Sequence, residues 1–236
     1  MDAGTQPTGA IPPLRRSLKQ RRSRERVEQI LSVAAEELAR LGSAENLSTT
    51  NLSKRAGLPV ASLYRYFADR WAIVAALIDR EIEQIDAEII SELESLEAVK
   101  LESLLELFME VHYRHFKAKP GSIVLWFGAR GSKVVMQRVT DRYLDMARWI
   151  QDGSGAAGLA AGYPHWGGEA LVWVCDRAFE VMFRKERSEE DERAIMREAV
   201  EMMSAQMRKY ATPEGLNGIP ASQFLELAGP FAPDHT

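Results

Sequence analysis

His112 and His115 stand three residues apart with Glu106 and Glu110 just upstream, a spacing at which one helical face could begin a metal site. Two imidazoles are too few ligands and no cysteine lies near them, so metal is the weakest reading. A cavity histidine that hydrogen-bonds a polar ligand group, or an ordinary core or surface histidine, are the others. The glycine-rich run at 152–168 invites a phosphate-loop reading, but no apolar strand precedes it and no Gly-Lys-Ser/Thr follows, so it reads as a connector. Cys175, the single cysteine, sits in an apolar run and reads as a small core residue. No Ser-His-Asp order stands beside a cavity-forming segment, so no enzyme, metal or cofactor is expected. What remains is recognition chemistry: Ser62, Tyr64, Arg65 and Tyr66, with Arg70 shortly after.

Two short helices must position these groups. The first is predicted to open at Thr49, whose hydroxyl can cap free N–H groups, and to bury Leu52 and Ala56. Gly57 ends it, because a tight turn needs a left-handed residue. Leu58 plugs the angle, Pro59 fits the first position of a second helix, and Leu63 and Phe67 point inward at i, i+4. Two short helices joined by a glycine turn form the motif that places its second helix in the DNA major groove.

The run Ala-Gly-Leu-Pro-Val-Ala-Ser-Leu-Tyr-Arg-Tyr-Phe followed by Asp-Arg (56–70) closely resembles the signature of the TetR family of transcriptional regulators. That signature has Ala-Gly-Val-Ser, two variable positions, Thr-Leu-Tyr, an aromatic or His, then Phe and a basic residue. The resemblance covers residues 24–80 with specific motifs and extends further only as a pattern of helices. It implies that Tyr64 and Tyr66 donate to DNA phosphates and that Arg70, where the family has Lys, does the same. Thr49, at a helix N-terminus, is a natural phosphate anchor. Base reading falls to Thr50, Val60, Ala61, Ser62 and Arg65. Here the chain departs from the pattern: Pro59 replaces Ser and Ala61 replaces Gly. Val60 and Ala61 can touch thymine methyls but cannot hydrogen-bond a base edge. Arg21, Arg22 and Arg24, near the minor groove, are expected to supply part of the specificity through groove width.

The charge distribution agrees. The whole chain carries −4, which taken alone would argue against a nucleic-acid partner. Residues 1–70 nevertheless hold 12 Lys+Arg against 7 Asp+Glu, and the remainder 18 against 27. A basic module on an acidic body is the asymmetry expected when one end meets phosphate. One cysteine allows no intramolecular disulfide, and the opening Met-Asp-Ala-Gly-Thr-Gln-Pro lacks the basic start and apolar run of a signal peptide. No apolar stretch approaches the ~20 residues that span a bilayer. A soluble, cytoplasmic protein without a membrane partner is expected.

The expected fold is all-α, a three-helix helix-turn-helix module followed by a larger helical ligand-binding and dimerisation domain. The boundaries are a disordered basic arm at 1–22, the DNA-binding domain at 23–70, the helical domain at 71–211, and a Pro/Gly-rich tail at 212–236. Ser23 is the expected cap of the first helix, with Val27, Ile30, Leu31, Ala34, Leu38 and Leu41 at helical spacing. Further helices are predicted from Asp69-Arg70 to about Glu97, and at 101–118, 123–129, 133–150, 169–185 and 189–210.

All 5 tryptophans lie beyond residue 70. Phe108, Met109, His112, Phe116, Trp126, Phe127, Trp149 and Trp173 are expected to line an apolar cavity between helices. The resemblance implies that such a cavity takes a small-molecule effector whose occupancy changes the spacing of two DNA modules. It also implies a homodimer through helices 169–185 and 189–210, which would read a palindromic double-stranded operator.

Overall fold

No glycine or proline interrupts the chain between Pro13 and Gly42, and Leu14–Leu41 is one helix, α1, in a computed structural model that describes residues 14–152, 155, 158, 159 and 162–228. The boundary expected at residue 22 is therefore corrected: 14–22 continue α1 rather than belonging to an arm. Arginine, lysine, glutamine and leucine are good helix formers, and nothing there breaks the helix. Residues 1–13 of the expected arm lie outside the described residues. Ser23 caps nothing, and its hydroxyl hydrogen-bonds Tyr66. Gly42, at φ +64°, ends α1 in the left-handed region.

The two short helices follow as α2 (Thr49–Arg55) and α3 (Val60–Tyr64). The cap of α2 is Ser48, whose hydroxyl accepts the Asn51 N–H, so Thr49 is the first helical residue and not the cap. Gly57 turns the chain at φ +62°, and Pro59 precedes α3 with φ −59°, already set for a helix. Leu38, Leu47, Leu52, Leu58, Leu63 and Phe67 are buried together beneath the turn, where Gln29 Nε2 donates to the Ala56 carbonyl at 2.8 Å. Asp69 caps α4 (Arg70–Ser95) by accepting the Ala72 N–H at 2.9 Å. This 26-residue helix leaves the small domain and enters the large one.

The large domain is built from α5 (Leu101–Ala118), α6 (Pro120–Ile123), a π-helical turn Val124–Gly128, α7 (Lys133–Asp152), α8 (Gly167–Phe183) and α9 (Glu189–Arg208). Gly168 of α8 lies so close to the Ala147 carbonyl of α7 that no Cβ fits between them. The sequence leaves open whether the tail at 212–236 is ordered, and residues 229–236 lie outside the described ones. Residues 213–228 form α10 (Pro213–Asn217), β2 (Ile219–Pro220) and α11 (Ala221–Ala228). β2 pairs antiparallel with β1 (Ala98–Val99), and an isolated antiparallel bridge joins Leu159 to Ala211. Ile219, Ala221 and Phe224 form an apolar stripe that pays the ordering cost of this segment, with Phe224 1% exposed. No helix among the described residues is long and apolar enough to cross a membrane.

Candidate nucleic-acid interface and ligand cavity

The turn between α2 and α3 leaves one polar face uncovered. Tyr64 is 52% exposed, and its hydroxyl lies 3.2 Å from Thr49 Oγ1, so the N-terminus of α2 and the end of α3 meet at one spot. Arg65 Nη2 donates to the Tyr66 hydroxyl at 2.7 Å. That bond, the one from Ser23, and the charges of Arg65 and Arg26 hold the Tyr66 phenol below its ordinary range. Thr50 and Ala61 are exposed, while Val60 and Ser62 are half-buried. Arg70 is committed elsewhere: its guanidinium donates to the Glu45 carbonyl at 2.5 Å and lies over the Trp71 ring. Arg21, Arg22 and Arg24 are exposed on the continuous α1, where Arg21 pairs with Glu25, and not on an extended arm.

Arg55 was absent from the expected site. It pairs with Glu36 and Glu37 of α1, and Arg40 pairs with the same buried Glu37. This network clamps α2 on α1 and is structural.

In the large domain a cavity of about 90 Å³ lies among α4, α5, the π-helical turn, α7, α8 and α11. Seven of the eight residues expected there do line it: Phe108, Met109, His112, Phe116, Trp126, Phe127 and Trp149. Trp173 does not. It sits on the other side of α8, edge-on to Tyr143 at 5.2 Å, in an outer groove with Val174, Val181 and Met202. Helical phase explains the correction, since Leu171, Val172, Cys175 and Phe179 occupy the inward side.

The cavity wall also carries charge that aromatic content alone did not reveal. Asp86 of α4 pairs with Arg142 of α7, both nearly buried. Asp176 of α8 accepts from the Tyr143 hydroxyl and from Arg130. Burial lowers the Arg142 pKa despite its partner, and burial together with Asp176 pushes the Tyr143 phenol well above its usual range. A signal existed: Asp86 and Arg142 fall on the apolar stripes Ile78-Ile82-Ile85-Ile89 and Val135-Val139-Met146-Ile150, where a charge requires a partner.

His112 Nδ1 lies 2.7 Å from the Phe108 carbonyl, and burial pulls its pKa down to about 4. His115, three residues on, is separated from it. It is buried on Glu81 of α4, which also accepts the Ser122 hydroxyl at 2.5 Å. Burial pushes the Glu81 carboxyl up, but the bonds from His115 and Ser122 outweigh this and hold it below its usual value. No group of three or more His, Cys, Asp or Glu able to hold a metal occurs among the described residues. Burial pushes the Cys175 thiol to about 12, so it carries no reactive thiolate.

A helix-turn-helix is exposed at the start of the long helix α4, and a largely apolar cavity lies against the middle of the same helix. Residues 30–77 match the model of bacterial regulatory proteins of the tetR family, and the DNA-binding domain belongs to that family. The fold is similar to that of a TetR-family transcriptional regulator from Streptomyces coelicolor (22% identity, TM-score 0.60, covering 79% of this chain and 98% of that one). It is also similar to that of the fatty acid degradation regulator FadR from Bacillus halodurans (14%, 0.60, 78% and 96%). FadR from Bacillus subtilis, in complex with stearoyl-CoA, is similar as well (16%, 0.58, 75% and 96%). No protein of curated function matches significantly.

Proposed function

We propose that this protein is a homodimeric repressor, released from a palindromic operator by a small apolar or amphipathic effector. The observation that carries the reading is the continuity of α4. Its first residue, Arg70, braces the DNA-binding domain, and Ile82, Ile85 and Asp86 three to four turns later form part of the cavity wall. α4 forms one wall of the cavity, so a ligand that changes the packing there acts on the helix that carries the DNA-binding domain. A ligand shifts the balance between two states only by its difference in affinity for them. The B. subtilis relative is titled as a complex with stearoyl-CoA, which supports a partly apolar effector here.

Thr49, Tyr64 and Tyr66 would hold phosphates, with Thr50, Val60, Ala61, Ser62 and Arg65 nearest the bases. Arg21, Arg22 and Arg24, projecting from α1, would meet the flanking backbone. The dimer would form through α8 and α9, whose Val174, Val181 and Met202 are 37%, 42% and 62% exposed in one apolar groove.

Selection of duplexes from a random pool, followed by binding of the winner across a salt series, tests the reading. A palindromic winner with a log–log slope near −0.9 per phosphate contacted is expected. Failure to enrich any sequence would overturn it.

A further inference from the structure

The cavity has a polar end whose chemistry is unusually restricted. Trp126 Nε1–H is buried, lines the cavity and has no hydrogen-bond acceptor. Buried donors are rarely left so, and here the missing partner points to a ligand. His112 and Trp126 both pack against the Phe116 ring, with ring centroids 6.4 Å and 6.3 Å from it. A carbonyl oxygen only accepts, so the Phe108 carbonyl fixes the His112 proton on Nδ1, and with the ring neutral near pH 7 its Nε2 is a lone-pair acceptor. The charged side chains at this end are already matched: Arg142 with Asp86, and Arg130 with Asp176. A ligand carboxylate would find no uncommitted cation among these lining groups, and would lose its hydration on entry. The remaining lining, such as Ile85, Leu104, Ile150 and Phe224, is apolar.

We infer that the ligand of this cavity is an uncharged amphipathic molecule, with an apolar body and a polar end that accepts a hydrogen bond from Trp126 Nε1 and donates one to His112 Nε2. A hydroxyl or a primary or secondary amide meets both demands; a carboxylate and an ether do not. The inference rests on the effector reading above and narrows its chemistry.

The experiment uses the full-length protein and three probes of equal chain length: 1-octanol, octyl methyl ether and octanoate. Binding is followed by calorimetry, and release of the selected duplex is followed in parallel. Octanol should bind about 5-fold more tightly than the ether, the worth of one net hydrogen bond. It should bind at least roughly 10-fold more tightly than octanoate, whose charge would be desolvated. Trp126→Phe should weaken octanol and the ether alike by about 5-fold, and His112→Phe should erase the difference between them.

Octanoate binding as tightly as octanol, an ether equal to octanol, or no binding by any probe up to saturation would each overturn the proposal. The wild-type comparison needs no variant, so a misfolded mutant does not rescue it. Octanol that binds with the expected preference yet releases no DNA would leave the ligand class standing and remove the effector reading. Release by octanoate alone would do the reverse.

Discussion

Gly121 of α6 rests directly on α1: a Cβ at Gly121 would stand 3.2 Å from the Ala35 carbonyl and 3.3 Å from the Ala39 Cβ. The segment beginning at Gly121 runs on into Trp126 and Phe127 of the cavity wall, and its Ser122 hydroxyl donates to Glu81 of α4. The DNA-binding domain is thus touched by the cavity wall at α1 as well as through α4. Gly121→Val should force the two domains apart at this seam and destabilise the protein by about 1–3 kcal/mol, measured by urea unfolding. An unchanged midpoint would show that the seam opens freely.

His112 should leave a signature in pH. Its folded pKa of about 4 lies below the ordinary 6.5, so between those values the unfolded chain binds a proton that the folded one does not. Stability from this group is full above 6.5 and lost progressively as pH falls towards 4, by on the order of 3 kcal/mol. From pH 7.5 to 4, wild type should lose on the order of 3 kcal/mol relative to His112→Gln in unfolding free energy. Parallel curves would refute the neutral, buried imidazole.

The Asp86–Arg142 pair should be costly to break and cheap to replace. Arg142→Met leaves a buried carboxylate without its partner and should cost about 3–5 kcal/mol. Asp86→Leu with Arg142→Met should recover most of that, in a double-mutant cycle read by denaturation. No recovery would mean that the two charges serve other neighbours more than each other.

On the DNA face, Tyr64→Phe should weaken operator binding by about 10-fold, the worth of one hydrogen bond to a charged phosphate, and leave the salt slope unchanged, because a neutral hydroxyl releases no counterion. Arg70→Ala should act differently. Because Arg70 holds the Glu45 carbonyl, its loss should lower stability as well as affinity. A stability effect from Tyr64→Phe and none from Arg70→Ala would reverse these roles.

The DNA-binding end was legible because its determinants are local. Gly57 adopts the left-handed turn, Leu52, Leu58, Leu63 and Phe67 are the core beneath it, and Asp69 starts α4, all features of single residues and their near neighbours. The cap was misplaced by one residue, at Thr49 and not Ser48, because two adjacent hydroxyls offer the same chemistry and only the backbone geometry chooses. Aromatic spacing located most of the cavity, but Trp173 was misplaced because an apolar helix near a chain end does not declare which side faces inward.

The sequence by itself determined the helical fold, the turn at Gly57, the charge asymmetry between the ends and the identity of seven cavity residues, since periodicity, glycine freedom and composition are properties of neighbouring residues. Tertiary structure alone decided that Asp86 meets Arg142, that Phe224 returns from the chain end to close the cavity, and that Gly121 lies on α1. These contacts join positions far apart in the chain. Their partners are selected by which faces remain to be buried once all the helices have packed, and no local pattern carries that information.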